Sequence, residues 1–272
     1  MTTSTGNVAQ FTTVDDAPDE SWFITFMDRA NALPEYARAR RQLAADMGDL
    51  GGATVLDVGC GTGDDARELA ALVGADGLVI GTDLSAAMIE VAQQRSAGSD
   101  LPVEFRVDDG RAISFDDQSF DAVRAKLMLM HCENIPATVA ELVRVTRIGG
   151  RVAAFDYDFD TTTIDHPDLA TTREIIRTLS DGHNSWCGRQ LRRRFLELGL
   201  ADVTVAPQTV LMPFEFYRMV TSGRLAAAQA SGDLKLSAEQ LTAWWEPLIE
   251  AQVKGQFFQS ITGFVVGGTR VE

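Results

Sequence analysis

Val55-Leu-Asp-Val-Gly-Cys-Gly-Thr-Gly63 is an apolar run that ends in three glycines at two-residue spacing. Ala53–Val58 reads as a buried strand, and Ala66, Leu69, Ala70 and Val73 follow at helical spacing. Glycines between a strand and a helix let the backbone approach a ligand closely. The helix start adds unpaired N–H groups and the positive end of its dipole. A glycine-softened turn without a ligand is the bland alternative, and a dinucleotide loop is the sharper one. The dinucleotide fingerprint GxGxxG needs glycine three residues after Gly61, where Asp64 stands. Asp64 and Asp65 would also meet a pyrophosphate with like charge. The spacing favours a ligand without phosphates, cationic or zwitterionic.

The rhythm continues outward from this stretch. Leu78–Thr82, Val103–Val107, Phe120–Ala125 and Arg151–Tyr157 read as strands, with helices at Ser85–Arg95 and Pro136–Thr146. Such alternation implies βαβ units, hence a parallel sheet with helices on both faces and ligands beyond the carboxyl ends of its strands. Upstream, Ser21–Met47 is helical with a break at Pro34, a cap over residues 21–50. Residues 1–20 lack periodicity and read as a flexible N-terminus. Downstream the alternation fails. A polar segment holds one helix at Asp168–Leu179; then come a helix at Gly188–Leu198 and a strand at Asp202–Leu211. A helical stretch runs from Pro213 to Gln256, where Ser237 and Gln240 have capping-box spacing, and a strand around Phe264–Val266 closes the chain. Residues 51–272 thus read as one α/β domain whose insertions, at about 158–187 and 213–256, would form a substrate lid.

Composition narrows the partners. The 272 residues carry 24 Lys+Arg against 39 Asp+Glu, a net charge of −15. So acidic a surface repels phosphate backbones and anionic headgroups, which argues against nucleic-acid and membrane partners and for a small molecule. Cys60, Cys132 and Cys187 are widely spaced, as free thiols in a reducing compartment would be, and form neither a disulfide framework nor a metal site. The N-terminus has no basic and apolar signal pattern, and no run approaches the roughly 20 apolar residues of a membrane span. A cytoplasmic location is expected, with no metal; a homodimer stays open.

Two further acids extend the ligand argument. Asp83 closes the second strand, where a carboxylate can accept from both hydroxyls of a ribose or cap the next helix. Asp108-Asp109-Gly110 follows the third strand, where an acid can accept from an adenine amine. VLDVGCGTG at 55–63, IGTDLS at 80–85, FRVDDGRAISFDDQSFDAV at 105–123 and LMLMHCENIPATVAELVRVTRIGG at 127–150 stand in this order. The series resembles the class I S-adenosylmethionine-dependent methyltransferases over roughly residues 50–157. In texture it is similar to the ubiquinone/menaquinone C-methyltransferases and to actinobacterial small-molecule methyltransferases.

The resemblance implies a Rossmann-like class I methyltransferase fold: a mostly parallel seven-stranded sheet flanked by helices. It implies S-adenosyl-L-methionine as cofactor, with Gly59, Cys60 and Gly61 lining its methionine part and Asp57 and Gly63 completing the loop. It places Asp83 at the ribose, Asp109 and Gly110 at the adenine, and Leu84 and Met88 packed on the ring. The backbone at Ala125-Lys126 would approach the cofactor's amino group, although Lys126 departs from the small or polar residue usual there. Asp57, Asp64, Asp65, Asp83, Asp109, Asp156 and Asp158 would crowd the strand ends where a cationic sulfonium sits.

On the acceptor side, His131 is the candidate general base if the acceptor must lose a proton; otherwise it packs and hydrogen-bonds. Asp156, Asp158 and Asp160 alternate after the fifth strand and would share a face, to bind a cationic amine acceptor, to coordinate a divalent ion, or as a solvated strand end. Trp22, Phe26 and Trp186 are among many aromatics outside the sheet that could line an apolar pocket. His166 and His183 read as surface or packing residues, and Arg189 with Arg192–Arg194 as a solvated helix face. The expected activity is methyl transfer to a small acceptor, a secondary metabolite or quinone-like precursor. Its rivals are a rearrangement assisted by the bound sulfonium and a non-catalytic cofactor-binding protein.

Overall fold

The computed structural model describes residues 7–181 and 184–272, so the expectation for His183 lies outside the described residues. Its strands are β1 (Thr54–Val58), β2 (Leu78–Asp83), β3 (Val103–Val107), β4 (Phe120–Lys126), β5 (Thr146–Ile164), β6 (Ala201–Leu211) and β7 (Gln259–Thr269). They form one sheet in the order β3-β2-β1-β4-β5-β7-β6, parallel from β3 to β5 and antiparallel where β7 pairs with β5 and β6. Val55–Val58 and Val79–Thr82 are buried, as strands covered on both faces must be.

Helices α1 (Ser21–Asn31), α2 (Pro34–Asp46), α3 (Asp64–Val73) and α4 (Ala86–Ser96) precede or interleave the first strands. α5 (Ile135–Val145) links β4 to β5, and α6 (Leu169–Ser180) and α7 (Cys187–Glu197) precede β6. α8 (Phe214–Ser231) and α9 (Ala238–Val253) lie between β6 and β7. On one face Tyr36, Leu43, Leu69 and Ile89 share a buried cluster with Phe155, Leu179, Tyr217 and Trp244. On the other, Val139 and Leu142 of α5 pack with Leu191 and Phe195 of α7. Helices α6, α8 and α9 therefore close over the same face as α2 and α3.

The break expected at Pro34 is present: α1 ends at Asn31 and Pro34 opens α2 at its first turn, where a missing N–H costs nothing. Two elements depart from the sequence expectation. β5 runs on to Ile164 because β7, from the far end of the chain, supplies antiparallel partners as far as Gln259. Within the stretch read as flexible, Val8–Asp16 forms a 3-10 helix. Phe11 packs there against Phe23 and Phe26 (ring centroids 5.1 and 5.3 Å), and Asp15 caps α4 by accepting from Ser85 Oγ and the N–H of Ala86 (2.8 Å). The capping box of Ser237 and Gln240 forms as the spacing predicts. Among the described residues no helix is long and apolar enough to cross a membrane.

Candidate active site

The loop after β1 is latched to β2 through its backbone. The N–H groups of Gly59 and Cys60 donate to the Thr82 carbonyl (2.7 and 2.9 Å), and that of Gly61 to Asp83 Oδ2 (2.8 Å). Gly59 and Gly63 take φ of +74° and +77°. A Cβ at Gly59 would lie 2.5 Å from Met128 Cγ, and one at Gly63 2.6 Å from Phe105, so only glycine serves there. Asp83 Oδ1 accepts from the Ser85 N–H (3.0 Å). Burial pushes the Asp83 carboxyl above its ordinary value, against the pull of these two N–H bonds.

Beyond β3 the two acids divide the work. Asp108 accepts from Ser114 N–H and Oγ (both 3.1 Å) and ties the turn, whereas Asp109 lies half-buried against Arg111 (2.8 Å). Hydrogen bonding from Arg111 holds Asp109 below the usual carboxylate range. Gly110 lies against β1: a Cβ there would come within 2.8 Å of Val58 Cγ1.

Behind the loop lies a buried ionic lattice. Arg124 of β4 donates to both oxygens of Asp57 (2.8 and 3.2 Å) and to Asp65 of α3 (2.7 Å). Lys126 Nζ lies 2.6 Å from Asp65 and 5.5 Å from the Tyr36 ring centroid. Burial would raise the Asp65 carboxyl, but Lys126, Arg124 and Arg40 outweigh it and hold the group far below its ordinary value.

Residues 55–150 match the family model described as a methyltransferase domain. The chain is 34% identical to the uncharacterized 37.1 kDa protein in transposon TN4556 of Streptomyces fradiae, over 92% of this chain and 71% of that one. It is 38% identical to the 2-phytyl-1,4-naphtoquinone methyltransferase of Thermosynechococcus vestitus, over 45% of this chain and 55% of that protein. The chain belongs to the class I S-adenosylmethionine-dependent methyltransferases. It spans about half the length of the quinone methyltransferases it matches. The YcgJ protein of Bacillus subtilis shares the fold, with a TM-score of 0.60 at 18% identity, covering 86% of this chain and 99% of that one.

The methyltransferase's residues fit S-adenosylmethionine on their own geometry. Each Asp83 oxygen takes one N–H and keeps a lone pair, as vicinal ribose hydroxyls require. Exposed Leu84 offers apolar surface beside them, and Gly110 packs its backbone closely against Val58 and Met128. Several expected contacts fall elsewhere. Asp57 and Lys126 belong to the lattice behind the loop, because each has a buried opposite charge at bonding distance. Met88 is buried with Val14 and Phe23, supporting the 3-10 helix. Cys60 turns its sulfur toward β2, 3.0 Å from where a Cβ on Gly81 would stand, so only its backbone borders the loop. Burial, then Asp57 and Asp83, raise that thiol's proton affinity. The acids of the strand ends are thus mostly neutralised by their own Arg and Lys partners.

On the acceptor side the methyltransferase separates residues that the sequence grouped. His131 ends a short turn after β4, with its ring 5.6 Å from Phe11. Burial, assisted by Arg224, lowers its pKa to about 4, so the imidazole is neutral near pH 7. Phe26 stacks on Trp22 (5.7 Å) and on Phe216 of α8 (5.5 Å). Trp186 instead starts α7 and donates to Asp160 (2.6 Å). Asp156, Asp158 and Asp160 do share a face, but α7 covers it: Arg189 pairs with Asp158 and lies 3.6 Å from Asp160. Burial pushes the Asp156 carboxyl up to about 8, against hydrogen bonding from the Met130 and Leu129 backbone and the Cys187 thiol. His166 packs on Trp244 and bonds its carbonyl (2.9 Å). Among the described residues no group of three His, Cys, Asp or Glu is placed to hold a metal ion.

Sequence reasoning passed over three residues that border this region, Phe11, Asp15 and Arg224, and counted Tyr217 only among the many aromatics outside the sheet. Asp15 sits in a stretch without periodicity and acts 70 residues away, so no local pattern marks it. Tyr217, Thr221 and Arg224 are spaced i, i+4, i+7, which was the available signal for one helix face.

Proposed function

We propose that this protein transfers the methyl group of S-adenosylmethionine to a small, partly apolar acceptor, a secondary metabolite or quinone-like precursor. The bound cofactor supplies an activated methyl on a sulfonium; the chain supplies position. The observation that carries the reading is the glycine loop latched to Asp83, with Gly110 drawn against β1 beside it. Asp83 would hold the ribose hydroxyls, Asp109 the adenine amine and the loop backbone the methionine part. The Asp57–Arg124–Asp65–Lys126 lattice keeps the loop's base rigid, so alignment need not be rebuilt at each turnover. Phe11, Trp22, Phe26 and Phe216 offer the apolar wall that excludes water from the acceptor.

With so low a proton affinity, neutral His131 is a weak base, and its fitting part is to accept a hydrogen bond from the acceptor. Three free thiols accord with a reducing, cytoplasmic setting, and the chain's acidity with a small molecule rather than a nucleic acid. Calorimetry with S-adenosylmethionine tests the cofactor assignment. Asp83→Ala should weaken binding by about 1–3 kcal/mol, the cost of stranding buried hydrogen-bonding groups. Unchanged affinity in a folded variant would remove Asp83 from the ribose. Product mass then separates methyl transfer, which adds one methylene per turnover, from rearrangement, which adds nothing.

A further inference from the structure

Helix α8 presents Tyr217, Thr221 and Arg224 on one face, and their polar groups are not equally served. Tyr217 is 2% exposed, yet among the described residues no partner lies at hydrogen-bonding distance of its hydroxyl. The Thr221 hydroxyl donates to the Tyr217 carbonyl (2.7 Å) and lies close enough to the phenol to oppose, weakly, the upward push of burial on it. Arg224 is half-buried; its Nη2 donates to the Leu179 carbonyl and its guanidinium lies 5.0 Å over the Phe159 ring. Among the described residues no carboxylate forms an ion pair with it. The cations behind the cofactor loop are paired, Arg124 with Asp57 and Asp65, and Lys126 with Asp65. In a chain carrying 39 acids, a desolvated guanidinium beside an unbonded phenol is a costly arrangement unless a ligand completes it.

The same face meets the region assigned to the acceptor. Phe216 stacks on Phe26 (5.5 Å), Phe26 meets Phe11 edge to face (5.3 Å), and the Phe11 ring lies tilted against His131 (5.6 Å). Arg224 is also close enough to His131 to join burial in disfavouring the charged imidazole. With one donor committed to Leu179, the guanidinium keeps four N–H groups in its planar fork, enough for paired bonds to one oxyanion.

We propose that the methyl acceptor carries an anionic group, a carboxylate or phosphate, which Arg224 pairs with while the Tyr217 hydroxyl donates to it. The inference rests on the methyltransferase reading above and adds the charge of the substrate. An acidic protein repels anions at long range, so the acceptor must be recognised by this one local cation. The anion would also oppose Arg224's field at His131 and raise the proton affinity of the imidazole in the complex.

The test uses the whole protein saturated with S-adenosylhomocysteine and three aromatic probes: 2-naphthoate, 2-naphthyl phosphate and uncharged 2-naphthamide. Calorimetry should show one of the two anions binding at least tenfold more tightly than the amide; which one does so identifies the anionic group. Arg224→Met should abolish that preference, Arg224→Lys should retain part of it, and Tyr217→Phe should reduce it a few-fold. Equal affinity for acid, phosphate and amide in the native protein overturns the proposal, as does a preference that survives Arg224→Met. Affinity for S-adenosylhomocysteine, measured first on each protein, should stay within twofold of native in the variants. Its absence from the native protein would count against the methyltransferase reading, whereas normal cofactor binding without anion preference counts against this inference alone.

Discussion

The two halves of the site are built on opposite principles. At the carboxyl ends of β1, β2 and β3 nearly every charge has its partner: Asp57 and Asp65 share Arg124, Asp64 pairs with Arg67, and Asp109 with Arg111. Asp83 is tied down by two backbone N–H groups. Across the way, between the 3-10 helix, α1 and α8, the contacts are ring on ring, and among the described residues the Arg224 guanidinium, bonded to the Leu179 carbonyl, has no carboxylate partner. A completed electrostatic frame suits an invariant cofactor that must be held in one geometry. An incomplete one suits a substrate that brings the missing charge.

The comparison breaks most visibly at Arg124. Arg124→Met keeps the length of the side chain but leaves Asp57 and Asp65 buried without their shared cation. Removing one partner of a buried ion pair costs about 3–5 kcal/mol. Urea unfolding should show a loss of that order. A loss under about 1 kcal/mol would mean that the lattice does not hold the loop. Arg224→Met, by contrast, removes a cation that has no internal carboxylate, and the unliganded variant should unfold no earlier than the native protein.

This asymmetry also explains what the sequence disclosed. The β1 strand, its glycine loop, Asp83 and Asp109-Gly110 are legible because each is a local pattern: an apolar run, a turn, an acid at a strand end. The lattice is not, because Arg124 and Asp57 are 67 residues apart and nothing near either one names the other. Lys126 looked anomalous only because Asp65, its reason, lies on a different element. The length of β5 was hidden likewise, since residues beyond Tyr157 become strand only when β7 pairs with them. Asp156, Asp158 and Asp160 alternate as a strand should, but spacing fixes a shared face and not what covers it. That was decided by α7 and Arg189.

A middle-sized effect is expected where the N-terminal segment joins the two halves. Asp15 accepts from Ser85 Oγ and from the N–H groups of Ala86 and Ala87, and so anchors the 3-10 helix that carries Phe11 over the acceptor side. Losing a helix cap costs about 0.5–2 kcal/mol. Asp15→Ala should expose residues 7–16 to limited proteolysis while leaving the lattice intact. Bonding to Ser85, Ala86 and Ala87 outweighs the opposing effect of burial and holds the folded Asp15 pKa below its unfolded value. The latch is therefore complete above the ordinary carboxyl range and is lost as pH falls through the folded pKa. Equal cleavage of native and Asp15→Ala protein at neutral pH would show that Phe11 packing alone suffices.

The smallest effect is expected at His131, and only in acid. Its folded pKa lies near 4, depressed by burial and by Arg224, whereas the unfolded imidazole takes up its proton near the ordinary 6.5. Between those values the unfolded state binds a proton that the folded state refuses, so stability falls as pH drops across that window. Asp156 acts in the opposite sense, because its raised carboxyl favours the folded state as pH falls from about 8. Comparing native protein with His131→Gln cancels the contribution of Asp156, which both chains retain. The two should melt within a few degrees of each other at pH 7.5. At pH 5 the variant should be the more stable, having no imidazole to protonate on unfolding. Parallel pH profiles would mean that His131 is solvated, and the acceptor side would then be wetter than its aromatic contacts imply.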